Sequence, residues 1–312
     1  MTILLIASAL ARGDQGWEGQ IVSLTLENDA VASADRHYTQ GAFLSYLSAD
    51  DALARWTRAL SDSLPAVGFE LEARKWGIGV GQEIYTPENL QSAELLVDDR
   101  PYAGWLFARF TLQRRGLVSR RWSALENIHL DLGVIGPEAY AEETQKEWHG
   151  EDPRGWDHQL QTEPGMVLRY ERRYRFRAWG EPDGWGLQLI PHGGGSAGNV
   201  ATLLHAGGVA RFGYNIPDEF VTAAGPRTYK YGAYLMLGTD GRLVFHNIFL
   251  DGNTWTSSHR VDKRPFVADF KAGFAVILGR FEISFTQVYR TREFNDQNSA
   301  DTFGSGTLSV KF

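Results

Sequence analysis

The sequence predicts an all-β protein of the outer-membrane type, a transmembrane antiparallel β-barrel. Three observations carry this reading. From residue 20 onward, polar and apolar residues alternate in runs of about ten residues bounded by Gly, Pro, Asn or Asp, which is the period of a strand with two unlike faces. No stretch approaches the roughly 18 consecutive apolar residues of a spanning helix. The chain closes on "TLSVKF", with Leu308, Val310 and Phe312 at alternate positions, like the last strand of bacterial outer-membrane barrels. Alternation alone also fits a soluble sandwich, which turns its apolar face inward; a barrel turns that face to lipid and keeps a polar lumen.

The first strand, "QIVSLTLE", sets Val22, Leu24 and Leu26 on one face and Ser23, Thr25 and Glu27 on the other. Similar runs follow: "GAFLSYLS", "KWGIGVGQEIYT", "AGWLFARFTLQRR", "ALENIHLDLGVIG", "GMVLRYERRYRFRAW", "GWGLQLIPHG", "VATLLHAGGVARFGY", "YKYGAYLML", "GRLVFHNIFL", "ADFKAGFAVILG", "RFEISFTQVYRTREF" and "FGSGTLSVKF". With both termini in the periplasm the strand number is even, so one of these runs merges or breaks. Arg169, Glu171, Arg173, Arg175 and Arg177 share one parity and are read as lumenal, opposite Leu168 and Tyr170. Odd-to-even connections then face outside, among them the polar first hairpin loop and the long connection that opens at Pro137. At the N-terminus the apolar run Ile3 to Leu10 meets the small-x-small triplet Ala9-Leu10-Ala11. Residues 1–11 are therefore read as the tail of an export signal and residues 12–312 as one barrel domain.

Composition removes several chemistries. With no cysteine, there is no disulfide, thiolate metal site or cysteine nucleophile. The net charge is −7, and the arginines of "RYERRYRFR" alternate with aromatics instead of forming a basic block, so nucleic acid is not an expected partner.

The polar segments cluster at one end of the expected barrel. In "LTLENDAVASADRHYTQG", Glu27, Asn28, Asp29, Asp35 and Thr39 offer carboxylate, amide and hydroxyl oxygens, the hard donors that suit Ca²⁺ or Mg²⁺. The same residues also make ordinary Asx-turns, and the spacing is not that of an EF-hand. In the long connection, "EETQKEWHG" fits a short helix with Glu142, Gln145 and His149 on one face. A histidine so placed can act as general base toward water or be a plain surface residue. "GVGQEIYTPENL" and "DDRPYAGW" carry Gln82, Tyr85, Thr86, Asp98, Asp99, Arg100 and Tyr102 toward the second outer loop, where Arg100 with Asp98 or Asp99 can clamp the loop. Lys75, before Trp76, can project into the polar interior to meet an oxyanion or a phosphate.

Together "LENDAVASADRHYTQG", "GQEIYTP", "DDRPYAGW", "GVIGPEA…ETQKEWH", "PRGWDHQL.TEPG" and "IPHGGGSAGN" resemble, in order, the signatures of the outer-membrane lipid A 3′-O-deacylase family, LpxR. Any one motif is weak, while the ordered set is specific and runs from residue 26 to residue 199. The resemblance implies a twelve-stranded barrel in the outer membrane, and the chain is expected to be a monomer there. Its site, toward the extracellular leaflet, removes the 3′-linked acyloxyacyl chain of lipid A with help from Ca²⁺. By motif position Asn28 and Asp29 match the family's Asn-Asp pair, Thr39 its threonine and His149 its histidine. No motif anchors the family's lysine, and Lys75 is the nearest candidate in the third strand.

Read with that resemblance, the chain is expected to be a carboxylic ester hydrolase acting on lipopolysaccharide amid outer-membrane lipids. His149 deprotonates water, Asp29 with Asn28 and Thr39 holds Ca²⁺, and the ion polarises the ester carbonyl. The rivals are a non-enzymatic barrel, either channel or surface-binding protein, and an outer-membrane phospholipase.

Overall fold

The computed structural model describes residues 19–28, 37–149, 153–181, 183–220 and 230–312, with the backbone alone at residues 37–39 and 148–149. The expected export segment, residues 1–11, lies outside the described residues. Strands β1 (Ile21–Asn28), β2 (His37–Leu47), β3 (Glu70–Thr86), β4 (Ala103–Leu117), β5 (Trp122–Ile135) and β6 (Glu163–Gly180) are followed by β7 (Trp185–Gly198), β8 (Ala201–Tyr214), β9 (Tyr231–Asn247), β10 (Phe266–Leu278), β11 (Phe281–Arg290) and β12 (Asp301–Lys311). Each pairs antiparallel with its sequence neighbours, and β12 returns to β1, closing a twelve-stranded barrel without a free edge. Among the described residues three α-helices interrupt the meander: α1 (Arg55–Ser63), α2 (Ala141–His149) and α3 (Ile248–Asp251).

The runs "YKYGAYLML" and "GRLVFHNIFL" are one strand, β9, which resolves the odd count. The intervening Gly238-Thr-Asp-Gly241 has the composition of a turn. It stays extended because both neighbouring strands bond through it: Thr239 opposes Gly208 and Phe270, and Asp240 opposes Gly207 and Asp269.

Side-chain alternation gives the barrel its two faces. Leu26, Leu44, Ile78, Val80, Leu132, Met166, Leu168, Leu235 and Phe274 are exposed on the outer wall. Trp179, Trp185, Tyr214, Tyr231 and Phe281 ring the terminal end, and Phe245, Phe266 and Tyr289 stand toward the opposite, distal end. An apolar band between aromatic girdles is what a bilayer requires. Inside, charges are paired. Asp131 accepts from Arg109 Nε and Nη2 (2.6 and 2.8 Å) and from Arg169 Nε (2.8 Å). Asp269 accepts from Arg242 Nη2 (2.6 Å) and Arg290 Nε (2.9 Å). Lumenal Arg169, Glu171, Arg173 and Arg175, opposite outward Leu168 and Tyr170, follow the expected parity.

Toward the distal end the lumen is filled. Trp105 and Phe107 stack at 4.2 Å, and Phe43 lies 5.9 Å from Phe107. Phe249 of α3 drops onto Tyr85 at 4.1 Å. This aromatic plug packs with Ile135, Val167, Val200 and Ile248, all buried. At the terminal end α1, which the strand pattern did not announce, lies on the outer wall: Arg114 Nη1 donates to Leu64 O (2.7 Å), and Arg114 also meets Glu126.

Candidate active site

A parity choice in β1 sets where the candidate residue Asn28 stands. Ser23 and Thr25 point into the lumen, where they bond Ser309 (2.8 Å) and Thr307 (3.0 Å) of β12. Val22, Leu24, Leu26 and Asn28 therefore form the outward column, with Asn28 at its distal end. Across the wall, Asn28 opposes Gln40 of β2, Gln40 opposes Ile84 of β3, and Ile84 opposes Gly104 of β4. These four residues stand at one height on the outer face. Thr39 is the extra residue of a bulge between Tyr38 and Gln40, the local kink that re-aims a strand's end.

Leu44, Ile78 and Val80, closer to the terminal end, are exposed, but Gln40, Ile84 and Thr86 are buried. Over Ile84 the cover is supplied by the β5–β6 connection, whose Ala141 and Trp156 pack on it. It folds outward over the wall rather than into the lumen. Gln82 Nε2 donates to Ala139 O (2.6 Å) in the 3-10 turn Pro137–Ala139. Gly136 N donates to Gly104 O (3.1 Å). A Cβ at Gly104 would lie 2.5 Å from Ala141 Cβ, so the start of α2 can rest on the wall only over a glycine. Ala141 packs with Ile84, Leu90, Tyr102 and Trp156 in one buried cluster.

Within α2 the expected helix forms, and the side chain of His149 lies outside the described residues. Gln145 is 1% exposed and accepts from Trp156 Nε1 (2.9 Å), so it ties the helix to the following turn Trp156–His158. His158 Nε2 lies 3.1 Å from Ala93 O and anchors that turn to the β3–β4 loop. At the other side, Thr162 donates to Glu138, and this hydrogen bond holds the Glu138 carboxyl below its ordinary range. His149 is the last residue of α2. Lys146, three residues earlier and so on the same helical face, donates to Glu142 Oε1 (2.7 Å).

The expected site residues do not all meet. Asn28, the Thr39 bulge and α2 with His149 converge on the outer face at the distal end. Asp29 and Asp35 lie outside the described residues. Lys75 belongs elsewhere. It sits at the terminal end of β3, nearly buried, where Nζ donates to Ser48 O (2.9 Å) and Gly19 O and faces Asp50 Oδ1 at 3.4 Å. Its period-two position is indeed lumenal, but sequence parity fixes the face of a strand and not the end. The Arg100 clamp also differs: Asp99 caps backbone N–H groups of Glu88 (2.8 Å) and Arg100 (2.7 Å), while Arg100 Nη1 reaches Glu293 (3.4 Å) across the barrel mouth.

Toward the terminal end from this row, the outer wall is concave. A groove of about 1060 Å³ is lined by Leu24, Leu44, Ile78, Val80, Phe110 and Leu132. Leu24 lies four residues from Asn28 on one strand, about 13 Å along the wall. A row that is polar at Asn28 and Gln40 and helix-covered at Ile84 and Gly104 thus adjoins an apolar trough facing the bilayer.

The family model described as "Outer membrane protein LpxR" matches residues 1–312. In solved structures, LpxR from Salmonella typhimurium superposes with a TM-score of 0.72 at 19% identity, covering 94% of this chain and 100% of that one. The β-domain of the Bordetella autotransporter BrkA is a more distant match, with a TM-score of 0.49 and 10% identity over 94% of this chain and 98% of that one. Among curated proteins, no sequence match is found. With the family model matching the whole chain, the protein belongs to the LpxR family and is a β-barrel of the outer membrane.

Proposed function

We propose that the protein is a lipid A 3′-O-deacylase, hydrolysing the 3′-linked acyloxyacyl ester with its site open to the outer leaflet. Family membership makes it an outer-membrane lipid A-modifying protein. The observation that carries the finer reading is the side of the wall that α2 occupies. The helix ending at His149 rests over Gly104 and Ile84 on the lipid-facing surface, level with Asn28. A substrate embedded in the membrane reaches such a site without entering the lumen, and its acyl chain has the neighbouring trough to lie in. The distal aromatic plug of Trp105, Phe107 and Phe249 supports this against a channel.

In this reading His149 takes a proton from water as the water attacks the ester carbonyl, and returns it to the leaving alkoxide. Asn28 hydrogen-bonds the carbonyl oxygen or the ion site, and the Thr39 hydroxyl positions the water. Asn28, Asp29, Thr39 and Gln40 offer amide, carboxylate and hydroxyl oxygens and no thiolate, donor types that fit a hard cation. Asp29, Asn28 and Thr39 would hold Ca²⁺, which supplies Lewis-acid polarisation of the carbonyl when bound. Lys75 has no part in the step.

The test is mass spectrometry of lipid A after incubation with purified, folded protein. The expected product has lost the 3′ acyloxyacyl group. Chelation should abolish its formation and Ca²⁺ should restore it better than Mg²⁺. A glycerophospholipid product with intact lipid A would make the protein a phospholipase, and no ester product of either kind would make it a non-catalytic barrel.

A further inference from the structure

The motif "IPHGGGSAGN" lies in β7, away from α2, and places a second donor cluster inside the barrel. Its His192 opposes Gly207 of β8, while Gly194 opposes His205 of the same strand. The two histidines are therefore diagonal across the pair, each beside a glycine. The glycines are needed there. A Cβ on Gly194 would come within 2.9 Å of His205 Nε2, and one on Gly207 within 2.9 Å of His192 Nε2. The ring centroids stand 5.9 Å apart.

The flanking strands complete the cluster with carboxylates. Glu171 of β6 opposes Gly194, and Asp240 of β9 opposes Gly207. Asp240 Oδ2 lies 2.8 Å from His192 Nε2 and 3.1 Å from His205 Nδ1. One carboxylate oxygen thus orients both imidazoles and leaves the second nitrogen of each ring, His192 Nδ1 and His205 Nε2, for another partner. A carboxylate behind a ligating histidine fixes its tautomer in the same way at metal centres. One ligand atom from each of Glu171, His192 and His205 lies within 4.8 Å of the others. Arg173 Nε occupies Glu171 Oε1, so Oε2 is the remaining oxygen.

We propose that Glu171, His192 and His205 form a lumenal site for a transition-metal ion of the Zn²⁺ class, supported by Asp240. Two imidazole nitrogens and one carboxylate oxygen suit Zn²⁺ and disfavour Ca²⁺ or Mg²⁺, which take oxygen sets. The ion bridges β6, β7 and β8, with β9 held through Asp240. It is separate from the deacylase site: these side chains face the lumen, whereas Asn28 and α2 are on the outer wall. The proposal therefore stands or falls independently of that function.

The experiment uses the full chain folded in detergent micelles, stripped with chelator, exposed to Zn²⁺ or Co²⁺, and freed of excess metal by dialysis. The expected result is about one ion per chain by elemental analysis, unmoved by a large excess of Ca²⁺, with Co²⁺ giving the visible bands of a four- or five-coordinate site. His205→Gln and the isosteric Glu171→Gln should each weaken retention by tenfold or more, and Asp240→Asn by about 10- to 100-fold. Heat-modifiable migration on gels reports that each variant is folded, and bound Zn²⁺ should raise the wild-type unfolding temperature because the ion binds only the closed barrel. Sub-stoichiometric retention by folded wild type would overturn the proposal and leave a hydrogen-bonded His-Asp-His triad. Undiminished retention by a folded Glu171→Gln or His205→Gln barrel would also overturn it.

Discussion

At the scale of single residues, His149 and Lys75 were both candidate chemical groups, and their positions now call for opposite outcomes. His149 ends a helix held on the outer wall, beside the row that begins at Asn28. His149→Ala should lower the deacylation rate by roughly 10²- to 10⁴-fold, the range of a general acid-base group, while the barrel stays folded. His158→Ala is the internal control, because that ring meets a backbone oxygen of Ala93. Wild-type rates in His149→Ala would refute the assignment. Lys75→Met should leave the rate unchanged and lower stability by about 1–3 kcal/mol, since it strips the buried oxygens of Ser48 and Gly19 of their donor. Thermal unfolding beside a lipid A assay separates the two effects.

At the scale of elements, strands were far more legible than connections. Period-two alternation located the strands, including the lumenal row from Arg169 to Arg175, because every barrel residue faces either lipid or lumen. The turn-like Gly238–Gly241 misled, since local composition cannot register two neighbouring strands bonding through it. The α2 helix was readable from "EETQKEWHG", but its docking was not. That depends on Gly104, which in sequence is one small residue of a strand and in space is the seat for Ala141. Gly104→Ala should therefore lift α2 by forcing apart two methyl carbons placed at 2.5 Å. A displacement of about 1 Å at a catalytic group is worth about 10²-fold in rate. We expect that loss of activity with heat-modifiability retained. Full activity in Gly104→Ala would mean that α2 does not position the reaction.

At the scale of the whole molecule, the barrel separates a distally plugged lumen from the outer wall that carries the candidate site, and its orientation decides which leaflet that site meets. Both strand ends that close the barrel, Ile21 and Lys311, lie at the terminal end with α1 and the short β4–β5 turn. The loops bearing α2, the Trp156–His158 turn and α3 lie at the distal end. A lipid A enzyme needs the distal end outside, because lipid A occupies the outer leaflet. The absence of native cysteine makes a clean test possible. Asp157→Cys and Ser119→Cys place single thiols on exposed residues at opposite ends. In intact cells a membrane-impermeant maleimide should label position 157, and should reach position 119 only after the outer membrane is permeabilised. The reverse pattern would put the helix-covered row against the periplasmic leaflet, away from lipid A, and the deacylase reading would fail even with every side chain in place.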